Sequence, residues 1–237
     1  MEDVLYDNVA VHVFARVEAG HALDETTTCK FRHLLEEHDL TRLLFELSRD
    51  ILNQRGLLVK AGTIVDATII SAPSPTKSQA KQRDPEMKST NRQWYFGMKA
   101  HIGTDTPGLV HGVAVTPANA QDVTLMDNCL HGQEEVIYGD TAHVSDQRRA
   151  QVQARGVQWH VLRKATRTRK LPCADQSFNK KSNRTRSRVE HTFGVIKHLW
   201  GYCKTRYRGL DKNAARVYTR ANFYLARDSL LATMTAG

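Results

Sequence analysis

Apolar positions change their spacing several times along the chain, and each change marks an element. Residues 24–56, DETTTCKFRHLLEEHDLTRLLFELSRDILNQRG, carry helical spacing. Phe31, Leu34 and Leu35 make one stripe, and Leu43, Leu44, Leu47 and Ile51 make a second. Asp24 or a Thr after it suits an N-cap, Asp39 begins a break, and Gly56 is a C-terminal stop. Such a pair is either a helix-turn-helix reader or a packing hairpin, and its near balance of acid and base favours the hairpin. From Thr63 the period shortens: TIVDATII is β-branched and apolar on both sides of one Asp, the pattern of a buried strand. Residues 71–93 are polar and Pro-punctuated, which predicts an extended loop. WYFGMKAHIGTD and LVHGVAVTP then read as strands joined by a turn at Thr106, Pro107 and Gly108.

Asn119 is expected to cap a helix running to about Leu130, with Val123, Leu125, Met126 and Leu130 inward. VIYGD is a strand ending at Asp140, a helix covers about 145–155, and GVQWHVL is a fifth strand. Residues 163–188 form a basic loop that leads into the helix SRVEHTFGVIKHLWGY. A turn at YRGL precedes a last amphipathic helix, DKNAARVYTRANFYLARDSLLATM. Three leading strands followed by alternating helix and strand predict a mixed α/β sheet with helices on both faces.

The length, 237 residues, suits one large domain or a small domain with an appendage, and 41% hydrophobic residues is slightly low but not that of a disordered chain. No apolar run approaches a membrane span, and the first residues are acidic where a secretory signal would be basic, so a soluble cytosolic protein with no membrane partner is expected. An excess of 34 Lys+Arg over 25 Asp+Glu, net +9, favours a polyanionic partner, nucleic acid first. Cys29, Cys129, Cys173 and Cys203 form no CxxC pair, which argues against a zinc site and for reduced thiols.

Three acids stand out by position. Asp66 interrupts an apolar strand, where an unpaired carboxylate costs several kcal/mol. Asp140 ends a strand, and Glu190 lies at the margin of the stripe made by Val189, Phe193, Ile196 and Trp200. Singly they read equally well as a paired strand acid, a turn residue and a surface ion pair. Together, three carboxylates at one sheet edge repel unless cations sit between them, and oxygen-only ligands favour Mg²⁺, with Mn²⁺ in its place. Two such ions suit phosphoryl transfer. Arg186 and Lys197, four before and seven after Glu190, fall near the same helix face, a pattern that suits a phosphodiester substrate and, without the other acids, equally plain helical charge pairing.

GTIVDATIISAPSPTK, QRDPEMKST, QWYFGMKAHIG, VTPANAQDVT, VIYGDTAH and RSRVEHTFGVIK follow one another as in DDE transposases of bacterial insertion sequences. The chain most resembles the insertion-sequence-five family, from YDNVAVHVFA to the RVE helix. The resemblance implies a ribonuclease-H-like mixed sheet flanked by helices over 61–237, preceded by an N-terminal helical segment over 1–60 that is shortened relative to the family. It implies Asp66, Asp140 and Glu190 as catalytic metal ligands for Mg²⁺, and Arg186 and Lys197 as DNA contacts. Lys180, Lys181, Arg184 and Arg188, in the basic stretch, would follow the DNA backbone together with the 71–93 loop. The implied activity is cleavage and strand transfer of an insertion sequence by an enzyme acting as a homo-oligomer on double-stranded ends and target, at the bacterial nucleoid. The alternatives are an inactive truncated DNA-binding remnant and a ribonuclease-H-like nuclease without strand transfer. The family has Tyr where this chain has Asn183, and a small or basic residue, Gly and Tyr where it has Thr141, Ala142 and His143.

Lesser candidates are the ring clusters Trp94, Tyr95 and Phe96 beside Arg92 and Lys99, and Trp200, Tyr202 and Tyr207 among Lys204, Arg206 and Arg208. His101, His111, His143 and His191 are candidates to gather near the acids, and Asn119 and Asp122 to support them.

Overall fold

A computed structural model describes residues 24–73, 82–90, 95–165 and 170–235, with side chains through 227. YDNVAVHVFA, Arg92 and Trp94 lie outside the described residues. The chain divides into two compact units, 1–41 and 42–237. In the first, helix α1 (Glu25–Glu37) is capped by Asp24, whose Oδ1 accepts the Thr27 amide at 2.5 Å. Phe31 and Leu34 on it are exposed.

The second unit begins within helix α2 (Leu40–Gln54). Here the expected stripe is on the wrong side: Phe45 and Leu52 enter the core, while Leu43, Leu44, Leu47 and Ile51 stay exposed. LTRLLFELSRDIL is apolar on more than one face, so spacing alone does not select which face packs. α2 also belongs with the sheet, although the sequence grouped it with the N-terminal segment.

Strands β1 (Gly62–Ser71), β2 (Lys88–Ser89), β3 (Phe96–Asp105), β4 (Val110–Pro117), β5 (Val136–Gly139) and β6 (Gln158–Val161) form one mixed sheet. β1, β3 and β4 are antiparallel, β5 pairs parallel with β1, and β6 parallel with β5, giving the order β4-β3-β1-β5-β6 with β2 also beside β3. This is the expected mixed sheet flanked by helices. Ile64, Ile70, Met98, Ala100 and Ile102 face helices α4 (Cys173–Gly194) and α5 (Leu210–Thr235) through Val189, Phe193, Val217 and Leu225. Val65 and Ile137 face the other way and pack with Met126, Cys129, Val161 and Val152 of helix α3 (Asp146–Ala154).

Three elements differ from expectation. Residues Asp122–Cys129 form a 3₁₀ segment preceded by Gln121, with no cap from Asn119, because Gly103 and Gly112, paired across β3 and β4, let the Cys129 backbone lie directly on the sheet. The 71–93 stretch is held at β2 by buried Met87, and Asp84 and Glu86 accept the Gly209 and Leu210 amides at the start of α5. The basic stretch is largely helical: α4 starts after Pro172 and runs through NKKSNRTRSR, which has no Gly or Pro to stop it. Phe178 anchors it, its ring between His160 and the guanidinium of Arg163.

A Cβ at Gly103 would stand far inside contact distance of the Cys129 carbonyl oxygen, whereas one at Gly194 in α4 meets nothing. Gly103→Ala should therefore cost about 1–3 kcal/mol, and Gly194→Ala should gain about 0.5–1 kcal/mol. Urea denaturation of both variants reads the difference as midpoints moving in opposite directions.

Candidate active site

The site is built by strand register. Parallel pairing matches Val65 with Gly139, so the next residues, Asp66 and Asp140, are lateral neighbours on one face of the sheet. That face is the one α4 covers, and α4 runs over β1 and β5 with Val189 and Phe193 turned inward. Arg186, one turn earlier on α4, therefore reaches Asp66.

Asp66 has a side chain 13% exposed, with Oδ1 accepting the Ala67 amide at 2.8 Å and Oδ2 accepting from Arg186 Nη1 at 2.6 Å. Burial pushes its carboxyl up to about 6, against the amide and Arg186, with the neighbouring Asp140 charge adding to the rise. Asp140 Oδ1 accepts the Ala142 amide at 2.9 Å and His143 Nδ1 at 2.7 Å. Burial acts to raise this carboxyl too, but the His143 hydrogen bond and charge, with the Ala142 amide, outweigh it and hold Asp140 below the usual carboxylate range. Glu190, 56% exposed, accepts Arg186 Nη2 at Oε1 over 2.7 Å. Arg186 is steered from a third side, its Nε donating to Asn183 Oδ1 at 2.9 Å.

Of the three expected acids, Asp66 thus lies beside Asp140 and shares the Arg186 guanidinium with Glu190. Among the described residues no three His, Cys, Asp or Glu side chains are grouped tightly enough to hold a metal ion as they stand. The donor set nevertheless fits a hard divalent cation: it is all carboxylate oxygen, and a positive group already sits against Asp66 and Glu190.

The remaining candidates separate. Lys180, Lys181, Arg184 and Arg188 lie on the exposed side of α4, where Arg188 also donates to the Thr106 carbonyl. Lys197 lies in a π-helical turn (Val195–Leu199) beyond α4, half-buried, and burial lowers its ammonium pKa. Tyr95 is exposed and Phe96 half-buried beneath the Arg83 guanidinium. Tyr202 is fully buried with Arg216 and Arg220 against its ring, so it offers no stacking surface. Of the four histidines, His143 alone touches an acid of the triad. His101 is buried 3.8 Å from Asp122, which pairs with Lys99 at 2.8 Å, and burial lowers its pKa. His111 is bonded to Thr63 at 3.2 Å, and His191 lies exposed on α4.

Two partners were missed as such by the sequence reading: Asn183 as the holder of Arg186, and His143 as the holder of Asp140. Their signal was present, because both are the positions at which the chain departs from the family pattern. Two buried acids resemble Asp66 in burial but not in setting. Asp105 accepts the Val59, Gly108 and Leu109 amides, and Glu134 accepts those of His131 and Gly132, so both close turns.

Among the described residues no helix is long and apolar enough to cross a membrane. One similar solved structure is the Mos1 transposase paired-end complex with left transposon end: 16% identity over 88% of this chain and 64% of that one, at a TM-score of 0.26. The chain therefore spans less than two thirds of the length of that transposase. The likeness in overall path is slight, and the assignment rests on sequence. Residues 58–225 match the family described as the transposase DDE domain, a stretch that contains the whole sheet, α4 and all three acids. With well over half of its length matched, this chain belongs to the transposase DDE domain family.

Proposed function

We propose that the chain is a bacterial transposase of the insertion-sequence-five type, which hydrolyses a phosphodiester at the ends of its element and joins the freed 3′-hydroxyl to target DNA. The observation that carries this reading is the register that sets Asp66 beside Asp140 under the helix bearing Glu190 and Arg186. Asp66, Asp140 and Glu190 would hold the divalent cation. Mg²⁺, or Mn²⁺ in its place, supplies Lewis-acid activation of the attacking and leaving oxygens when bound.

The chain's own residues do the rest. The Ala67 and Ala142 amides fix one oxygen of each aspartate, and Arg186 occupies the other oxygen of Asp66. His143 Nδ1–H keeps Asp140 ionised and oriented. Lys180, Lys181, Arg184, Arg188, Arg186 and Lys197 follow the backbone of double-stranded DNA, which positions the duplex without reading its sequence. The same reading puts a catalytic domain at 61–237, homo-oligomers on double-stranded end and target DNA, and the protein at the nucleoid in the cytoplasm.

Asp66→Asn and Glu190→Gln should each lower Mg²⁺-dependent nicking of end DNA by roughly 10²–10⁴-fold, with retardation of the same DNA in gels retained. Pre-cleaved ends incubated with a plasmid should give joined products. Cleavage without joining would mark a plain nuclease, and full cleavage by Asp66→Asn would end the proposal. Because the Asp66 carboxyl holds its proton up to about 6, the cation competes with that proton. Mn²⁺ affinity measured calorimetrically should be level above that value and fall about tenfold per pH unit below it, a limb absent in Asp66→Asn. Replacing Lys180 and Lys181 with Ala should weaken DNA binding and flatten its log–log salt dependence by about 0.9 for each phosphate no longer neutralised, read by fluorescence anisotropy from low to high salt.

A further inference from the structure

Arg186 is placed unlike an arginine waiting for DNA. Its side chain is only 15% exposed, and its three hydrogen bonds all go inward or along its own helix: Nη1 to Asp66 Oδ2 at 2.6 Å, Nη2 to Glu190 Oε1 at 2.7 Å, Nε to Asn183 Oδ1 at 2.9 Å. The planar fork thus links a strand acid to a helix acid and commits most of its directed donors to them. A guanidinium does not lose its charge at any accessible pH, so it leaves this gap only by moving. The two oxygens it engages, Asp66 Oδ2 and Glu190 Oε1, are oxygens a divalent ion would need.

We propose that Arg186 is the resident cation of the site: aimed by Asn183, it holds Asp66 and Glu190 together in the ion-free protein and is displaced when a divalent cation binds. The proposal rests on the metal-dependent reading above and deepens it. It makes Arg186 a competitor of the cation and Asn183 a positioning residue acting through Arg186. It also accounts for the placing of Asp66 and Glu190, which meet around a guanidinium instead of forming a ready cage. A displaced Arg186 carries its charge to the mouth of the site, where a DNA phosphate is its natural acceptor. Cation loading and phosphate contact are then coupled, and by linkage DNA in turn tightens the cation.

The test uses the full chain without DNA, so no turnover enters. Mn²⁺ binding is measured by calorimetry and electron paramagnetic resonance for wild type, Arg186→Ala and Asn183→Ala, with thermal melts as a folding control. Removing the competitor should tighten Mn²⁺ by about fivefold or more in Arg186→Ala and by a smaller factor in Asn183→Ala, which keeps the arginine but loosens its aim. A spectroscopic reading on the wild type is independent of variant folding. The Arg186 Nε–H resonance, protected from exchange by Asn183, should lose that protection as Mg²⁺ is added. Binding by Arg186→Ala alone would support the proposal in its strongest form. Wild-type binding that is unchanged or weaker in Arg186→Ala, with an Nε–H signal indifferent to Mg²⁺, would overturn it and leave the metal-dependent reading standing. No Mn²⁺ binding by either protein would overturn both.

Discussion

Parallel pairing of the first half of β1 with β5 is the constraint from which the rest of this molecule follows. The two strands enter the sheet side by side in the same direction, so Val65 meets Gly139 and the acids that come next are neighbours on one face. Two carboxylates so placed repel, and Asp66 is also taken out of water. Each is stabilised from a different source. His143, brought back under Gly139 by the short turn after β5, donates to Asp140, while a helix from far along the chain delivers Arg186 to Asp66. Removing the parallel register would put the aspartates on different rungs.

The helix is the second half of the device. On α4 the spacing 183, 186, 190 places an amide, a guanidinium and a carboxylate on successive turns of one face, with Val189 and Phe193 on the adjacent face driven into the core. The apolar burial fixes the rotation of the helix, and that rotation presents Arg186 to the sheet. Charge alone would not do so, since Lys180, Lys181, Arg184 and Arg188 on the same helix remain in solvent. Asp105 and Glu134 supply the contrast. Those buried acids are satisfied by backbone amides from tight turns and meet no such cationic fork, whereas Asp66 has one amide and a cation. Burial marks all three acids, and the nature of the partner separates a structural acid from a site acid.

Where local spacing and burial agree, the elements were legible. TIVDATII, VIYGD and the last amphipathic helix became β1, β5 and α5 because each has only one face or both faces able to pack. Where they do not agree, reading failed for identifiable reasons. α2 is apolar on several sides, so the choice of Phe45 and Leu52 over Leu43, Leu44, Leu47 and Ile51 depended on what lay opposite. The segment before β5 tightened into a 3₁₀ run because two glycines from other strands opened room for its backbone. Residues 173–188 looked like a loop because their charge is dense, yet no Gly or Pro lies among them and Phe178 gives them an anchor.

By itself the sequence determined which residues are costly to bury and in what order they come: a lone acid in an apolar strand, an acid ending another, and a third on a helix margin. Those are statements about local chemistry, and chemistry is carried by the side chain. Tertiary structure alone decided that Asp66 stands beside Asp140 and shares one guanidinium with Glu190, that Asn183 aims it, and that His143 rather than His101, His111 or His191 serves the second aspartate. Such contacts join positions as far apart as Asp66 and Arg186, and no periodicity within a helix or strand encodes a distance across the sheet.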